Sequence, residues 1–350
     1  PQGVTTFNNN LIRPSSHVGL HPQLVEYDIT KADGSNVGIN RTQTTPPGGQ
    51  SVYRWYAGDI SGFFTGVNTR RVRLVATPLE FGGVNLIPAD KIKQGQKSLV
   101  GALIIEPPGT AWREDAGRRT SASVGPDANR DGVPDSIAFR DFAVVWQKQL
   151  SHRYRDGTAV ENIEAEGVVA EDPQDSGQMA INYGSEPLWF RFGLRPNAPF
   201  GNEPGGLGAV PNAHAAYSNS LVGGDPATPV FTAAPGQQSR LRLLEPHGGF
   251  RGSVFRLHGH VWQREPYVCP GSAHLGLPGK CLPTELPSRG LGLNPLGMYI
   301  GAQENFLPYS HYEVLLPSAG GANAVPGDYL FRDYQSLGNL SGQWGLLRVQ

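Results

Sequence analysis

Ser253-Val-Phe-Arg-Leu-His-Gly-His-Val-Trp262 is the stretch that decides how this chain is read. Apolar and polar residues alternate along it, so an extended strand puts Phe255 and Leu257 on one face and Arg256, His258 and His260 on the other. The same period of two, set between clusters of Gly, Pro, Asn and Asp, recurs on both sides. It predicts strands at Ile137 to Gln147, Leu188 to Gly193, Pro229 to Thr232, Arg240 to Leu244, Ser253 to Gln263, Tyr312 to Leu316, Gly327 to Phe331 and Trp344 to Val349. Nearer the start it predicts strands at His17 to Asp28, Ser51 to Ala57, Arg70 to Pro78 and Ser98 to Glu106. Helix is scarce, with candidates only at Ala89 to Lys97 and Ala159 to Glu166. The polar, glycine-rich run Pro107 to Ser136 reads as a boundary, and the periodicity fades between Ser151 and Pro235, where a long irregular insertion is expected.

Composition agrees with a β protein and excludes several classes of function. The 350 residues contain 46 Gly and 30 Pro, too many turn formers for a mainly helical chain. With 29 basic and 30 acidic residues the net charge is −1, without the basic surplus of a nucleic-acid binder. No apolar run approaches the length needed to span a bilayer. The chain starts at Pro1 with neither Met nor a signal segment, which predicts a processed chain or a piece of something longer. There is no G-x-S-x-G, H-E-x-x-H or phosphate-binding glycine loop.

Several strands, in order, resemble multicopper oxidases. The order aromatic, x, Leu, His, Gly, His, x, aromatic in Phe255 to Trp262 is similar to the strand carrying copper ligands in the last cupredoxin domain of that family. Pro326-Gly-Asp-Tyr-Leu-Phe331, leading through Gly342-Gln-Trp-Gly-Leu-Leu-Arg-Val349, resembles its final hairpin. Pro47-Gly-Gly-Gln-Ser-Val-Tyr-Arg-Trp55 and Leu99-Val-Gly-Ala-Leu-Ile-Ile-Glu-Pro107 resemble two segments of its first domain, in the flavour of the large bacterial enzymes that include manganese oxidases. The resemblance implies an all-β chain of two cupredoxin-like Greek-key barrel or sandwich domains, 1–117 and 118–350, with the insertion at 151–235 in the second.

Carried over residue by residue, the copper ligands are largely replaced. The family's H-x-x-H-x-H falls on Ser253, Arg256 and His258, and His260 falls on an extra His that usually does not bind copper. Its His-Cys-His, a later His and an axial Met fall on Phe331, Arg332, Asp333, Leu337 and Gln343. In the first domain His-x-His-Gly aligns with His21-Pro22-Gln23-Leu24, and the later His-x-His has no counterpart in Val75 to Glu80. A blue-copper site needs a thiolate beside two imidazoles, and Arg256 would put a fixed positive charge where the ion should sit. His258 and His260 are the only copper candidates left, and the alternative for both is hydrogen bonding to loops at the barrel end.

Two further signals stand apart from the family. Asp127-Ala-Asn-Arg-Asp131-Gly-Val-Pro-Asp135 has the spacing of a calcium loop, with Asp127, Asn129, Asp131 and Asp135 as side-chain ligands and Val133 through its carbonyl. Ala138 stands where the closing Glu should be, and an Asx-rich surface turn is the alternative. Cys269 and Cys281 close a loop of 13 residues. A disulfide there would constrain the unfolded chain by roughly 3 kcal/mol; free thiols, or thiolate ligands alongside His274, are the other readings. The disulfide predicts an extracellular or periplasmic location.

The expectation is thus a cupredoxin-domain portion of a secreted or periplasmic multicopper oxidase that oxidises a metal ion or small reductant with O2. This chain would act as scaffold, calcium would pin its interdomain loop, and copper would lie upstream or on partner chains. The alternative is a non-enzymatic, calcium-stiffened extracellular assembly protein. Neither reading involves nucleic acid or a membrane span, and the oligomeric state stays open.

Overall fold

In the computed structural model of the chain the described residues are 13–64, 72–150, 152–158, 160, 179–194, 213–248, 252–268, 290–292, 297–334 and 341–350. The first strands are β1 (Leu20–Pro22), β2 (Gly58–Phe64), β3 (Val72–Pro78), β4 (Gly82–Pro88) and β5 (Gly101–Ile105). There follow β6 (Thr110–Asp115), β7 (Arg118–Pro126), β8 (Phe139–Gln147), β9 (Ala180–Ile181), β10 (Val230–Ala233), β11 (Ser239–His247) and β12 (Ser253–Leu257). The last are β13 (Trp262–Gln263), β14 (Tyr267–Val268), β15 (Gly290–Leu291), β16 (Tyr299–Ile300), β17 (Gln303–Phe306), β18 (His311–Leu316), β19 (Gly327–Asp333) and β20 (Trp344–Val349). Among the described residues helix is confined to single turns at Leu188–Arg191, Gly95–Lys97 and Ala213–Ala215. The fold is all-β, as expected.

Two sheets make the larger unit, in the orders β10-β20-β19-β12-β17 and β18-β11-β8-β7-β6. Most pairings are antiparallel, but β11 runs parallel to β8 and β10 parallel to β20, which requires long crossovers between the sheets. Alternation explains why the two sheets stack. Phe142, Val144 and Trp146 of β8, Leu241 and Leu243 of β11, and Val314 and Leu316 of β18 point inward to meet Phe231, Phe255, Phe306, Phe331 and Leu347 of the opposite sheet. Phe142 stacks on Phe231 with centroids 4.7 Å apart, and Trp146 lies edge-on to Phe255 and Phe306, both at 5.9 Å.

The intervening residues of β8, β11 and β18 point the other way, where the smaller sheet β1-β4-β5 covers them. Val100, just ahead of β5, and Ala102 within it pack there on Val145 and Leu244. The central strands β8 and β11 are therefore buried on both faces.

Some strands end differently from the sequence expectation. His17 to Asp28 yields only β1, because Leu24 turns with a positive φ of 63°. Leu188 to Gly193 begins instead as a helical turn after Pro187, and buried Arg191 fixes it by donating to the carbonyls of Ala216 and Gly224. The hairpin β6–β7 spans residue 117 and pairs through β7 with β8. β6 and β7 therefore belong to the same sheet as β8. Within 151–235, residues 161–178 and 195–212 lie outside the described residues, whereas β9 and β10 join the two sheets of the larger unit.

Candidate functional site

The register of β12 on β19 sets Phe255 opposite Asp333, Arg256 opposite Arg332 and Leu257 opposite Phe331. The two segments matched to copper-bearing strands are thus true neighbours at one end of the larger unit. Parity sorts their side chains. Ser253 and Asp333 point into the unit with Phe255 and Phe331, while Arg256 and Arg332 point out.

Inside, a chain of hydrogen bonds fills the space. Trp146 Nε1 donates to Ser253 Oγ at 3.0 Å, Ser253 Oγ donates to Asp333 Oδ2 at 2.9 Å, and the Val254 N–H donates to Asp333 Oδ1 at 2.9 Å. Next to it Lys148 Nζ pairs with Glu245 Oε1 at 3.1 Å, both side chains almost fully buried. Burial pushes the Glu245 carboxyl up to about 8 against the pull of Lys148, and the Asp333 charge adds to the rise. Gln343 donates to the Gln147 carbonyl at 3.2 Å, and the Asp333 N–H donates to the Gln343 carbonyl at 2.9 Å. Outside, the Arg256 and Arg332 guanidiniums sit 5.6 and 5.1 Å from the Tyr334 ring centre. His247, at the end of β11, is held down to about 4 by burial, and a Cβ placed on Gly95 would lie only 2.2 Å from its ring nitrogen.

His258 and His260 do not share a face, because β12 ends at Leu257 and Gly259 turns with a φ of 68°. His258 is exposed and His260 is buried. The amides of Gly320 and Gly321 donate to His260 Nε2 at 3.1 and 3.2 Å, which leaves Nδ1 to carry the proton and donate to the His258 carbonyl at 2.8 Å. Tyr329 closes over the ring edge-on at 4.7 Å. Both nitrogens of His260 are committed to the backbone, so the barrel-end reading applies to it and it has no lone pair for copper. Burial lowers its pKa, and burial together with the charges of Arg256 and Arg332 lowers that of His258.

The calcium-type loop is closed by its own side chains. Asp127 accepts the amides of Asp131 and Gly132 at 3.1 and 3.0 Å, Asn129 accepts that of Asp131 at 3.1 Å, Asp131 that of Val133 at 2.8 Å, and Asp135 that of Ala128 at 2.7 Å. This is a run of Asx turns, and it lends calcium no support. Among the described residues no group of three or more His, Cys, Asp or Glu converges to hold a metal. A copper centre does not fit the donors at the β12–β19 end. Cys269 and Cys281 lie outside the described residues.

Sequence reading missed the buried Lys148–Glu245 pair. The only signal for it was a lone lysine at the end of an apolar strand.

No family profile and no curated protein matches the chain. Among solved structures it is similar to a copper nitrite reductase from Nitrosomonas europaea, at 12% identity over 98% of this chain and 76% of that one, with a TM-score of 0.40. A multicopper oxidase matches at 12% identity over 95% of this chain and 70% of that one, with a TM-score of 0.42. A laccase from Botrytis aclada matches at 14% identity, 97% of this chain but only 44% of that one, with a TM-score of 0.43. Likeness at this level says nothing of the residues at the site.

Proposed function

We propose that this chain is a cupredoxin-type β scaffold from a secreted or periplasmic multicopper oxidase, and that it carries no copper of its own. Oxidation of a metal ion or small reductant by O2 would belong to coppers held elsewhere, in a longer polypeptide or on a partner chain. The observation that carries the scaffold reading is the Trp146–Ser253–Asp333 chain. The positions matched to copper ligands hold one another and leave no convergent donors, while Arg256 and Arg332 would repel a cation. The family attribution rests on the ordered sequence resemblances.

Metal analysis of purified chain of verified mass, by inductively coupled plasma mass spectrometry after desalting, tests this. Copper well below one per chain is expected. Copper at or above one per chain would overturn it. The second reading, a non-enzymatic extracellular assembly protein, draws on the same filled site, which is built for rigidity. A native polypeptide carrying His-Cys-His outside these residues separates the oxidase reading from that one.

A further inference from the structure

The outward faces of β8, β11 and β18 carry charge into the boundary between the two units. Arg242, fully buried on β11, donates from Nε to Asp141 Oδ1 of β8 at 2.7 Å, from Nη1 to Glu313 Oε2 of β18 at 2.7 Å, and from Nη2 to Glu106 just after β5. Arg240, two residues earlier, donates to Glu106 at 3.1 Å and to Glu80 ahead of β4 at 2.8 Å, with its guanidinium 3.9 Å above the Phe139 ring. Backbone contacts cross in both directions. The Gly83 amide of β4 donates to Glu313 Oε1, and the Leu291 amide of β15 donates to Glu80 Oε2 at 2.8 Å.

Two guanidiniums thus face four carboxylates from both units, and two negative charges are left over where little water reaches, Arg242 being fully buried and Arg240 largely so. Uncompensated charge in such a site is costly, and taking up a proton is the cheapest relief. Asp141 Oδ2 is the most loosely held oxygen, with only a 3.4 Å contact to Arg242 Nη2.

We propose that this cluster is a proton-linked latch: while the two units are docked, the four carboxylates retain a proton, so docking tightens as pH falls from neutral and loosens as pH rises. The inference concerns the boundary and is independent of any metal. Burial supports it, raising Glu313 from 4.5 to about 7 and raising Glu106, each against the pull of the arginines. A raised carboxyl favours the folded state most below about pH 4.5, and that contribution is lost as pH rises through about 7. The Asp115–Arg140 pair has the opposite sign, because Asp115 is held below its ordinary value.

The test compares the full chain with Asp141→Asn, where an amide meets the loosest contact, and with Glu313→Gln. Proton release on unfolding at pH 7 is measured by calorimetry in buffers of different ionisation enthalpy. Both variants lack one of the excess charges, so each should release up to about one proton fewer per chain than the parent. Their melting temperatures relative to the parent should rise as pH is raised from 5 to 8. Equal proton release in parent and variants, or a melting difference independent of pH, would show a cluster ionised throughout and would overturn the proposal. If one variant does not fold, the other carries the same comparison.

Discussion

Asp333 shows how a single residue settles what its neighbourhood can do. It takes hydrogen bonds from Ser253 and from the Val254 amide, and Ser253 in turn receives Trp146 Nε1. Ser253→Ala would leave a buried indole N–H and a carboxylate lone pair unmatched, an expected loss of about 1–3 kcal/mol in denaturant unfolding. His260 works in the same way on the backbone of the 320–321 turn. Its acceptor nitrogen must stay unprotonated, and its pKa is depressed in the fold, so its contribution is present above about pH 6.5 and lost as pH falls through its folded value. Replacing it with Ala should flatten that acid-side loss, read as melting temperature against pH between 4 and 7. The role of Asp333 was not visible from spacing, whereas hydrogen bonding to loops at the barrel end was one of the two readings of His260. The sequence offered two imidazoles on one strand face, and Gly259 turned one of them inward and left the other in water.

At the scale of elements, the strands were legible where a long apolar face met the core between the two sheets, as in β8, β18, β19 and β20, but not in the short β17, which brings Phe306 to the same core. Period two is a direct consequence of pleating, and a buried face makes it strict. Leu188 to Gly193 failed because six residues of mixed character suit a strand or a helical turn equally. What chose the turn was buried Arg191 reaching carbonyls about 25 and 33 residues away. The join between β4 and β18 depends on glycine. Gly82 has a φ of 68°, and a Cβ there would lie 2.3 Å from the Glu313 carboxylate. Gly82→Ala should therefore cost about 1–3 kcal/mol by strain and overpacking, measured by thermal or urea unfolding.

For the whole molecule, a surface loop closed by its own Asx turns predicts that chelation with EDTA leaves the melting temperature unchanged, and a fall of several degrees would restore calcium to the 127–135 loop. The sequence by itself determined the all-β class, the inward faces of most strands and the loss of thiolate and imidazole at the family's copper positions, because pattern and residue identity are local properties. It could not tell that Arg240 and Arg242, alternating with Leu241 and Leu243 like any solvent-facing pair, would lie under a second sheet, Arg242 fully buried and Arg240 in large part. Only the tertiary structure decided that, since whether the polar face of a strand meets water or carboxylates depends on which distant strands pack against it. The same packing made two guanidiniums and four carboxylates, spread from Glu80 to Glu313, a single charged unit.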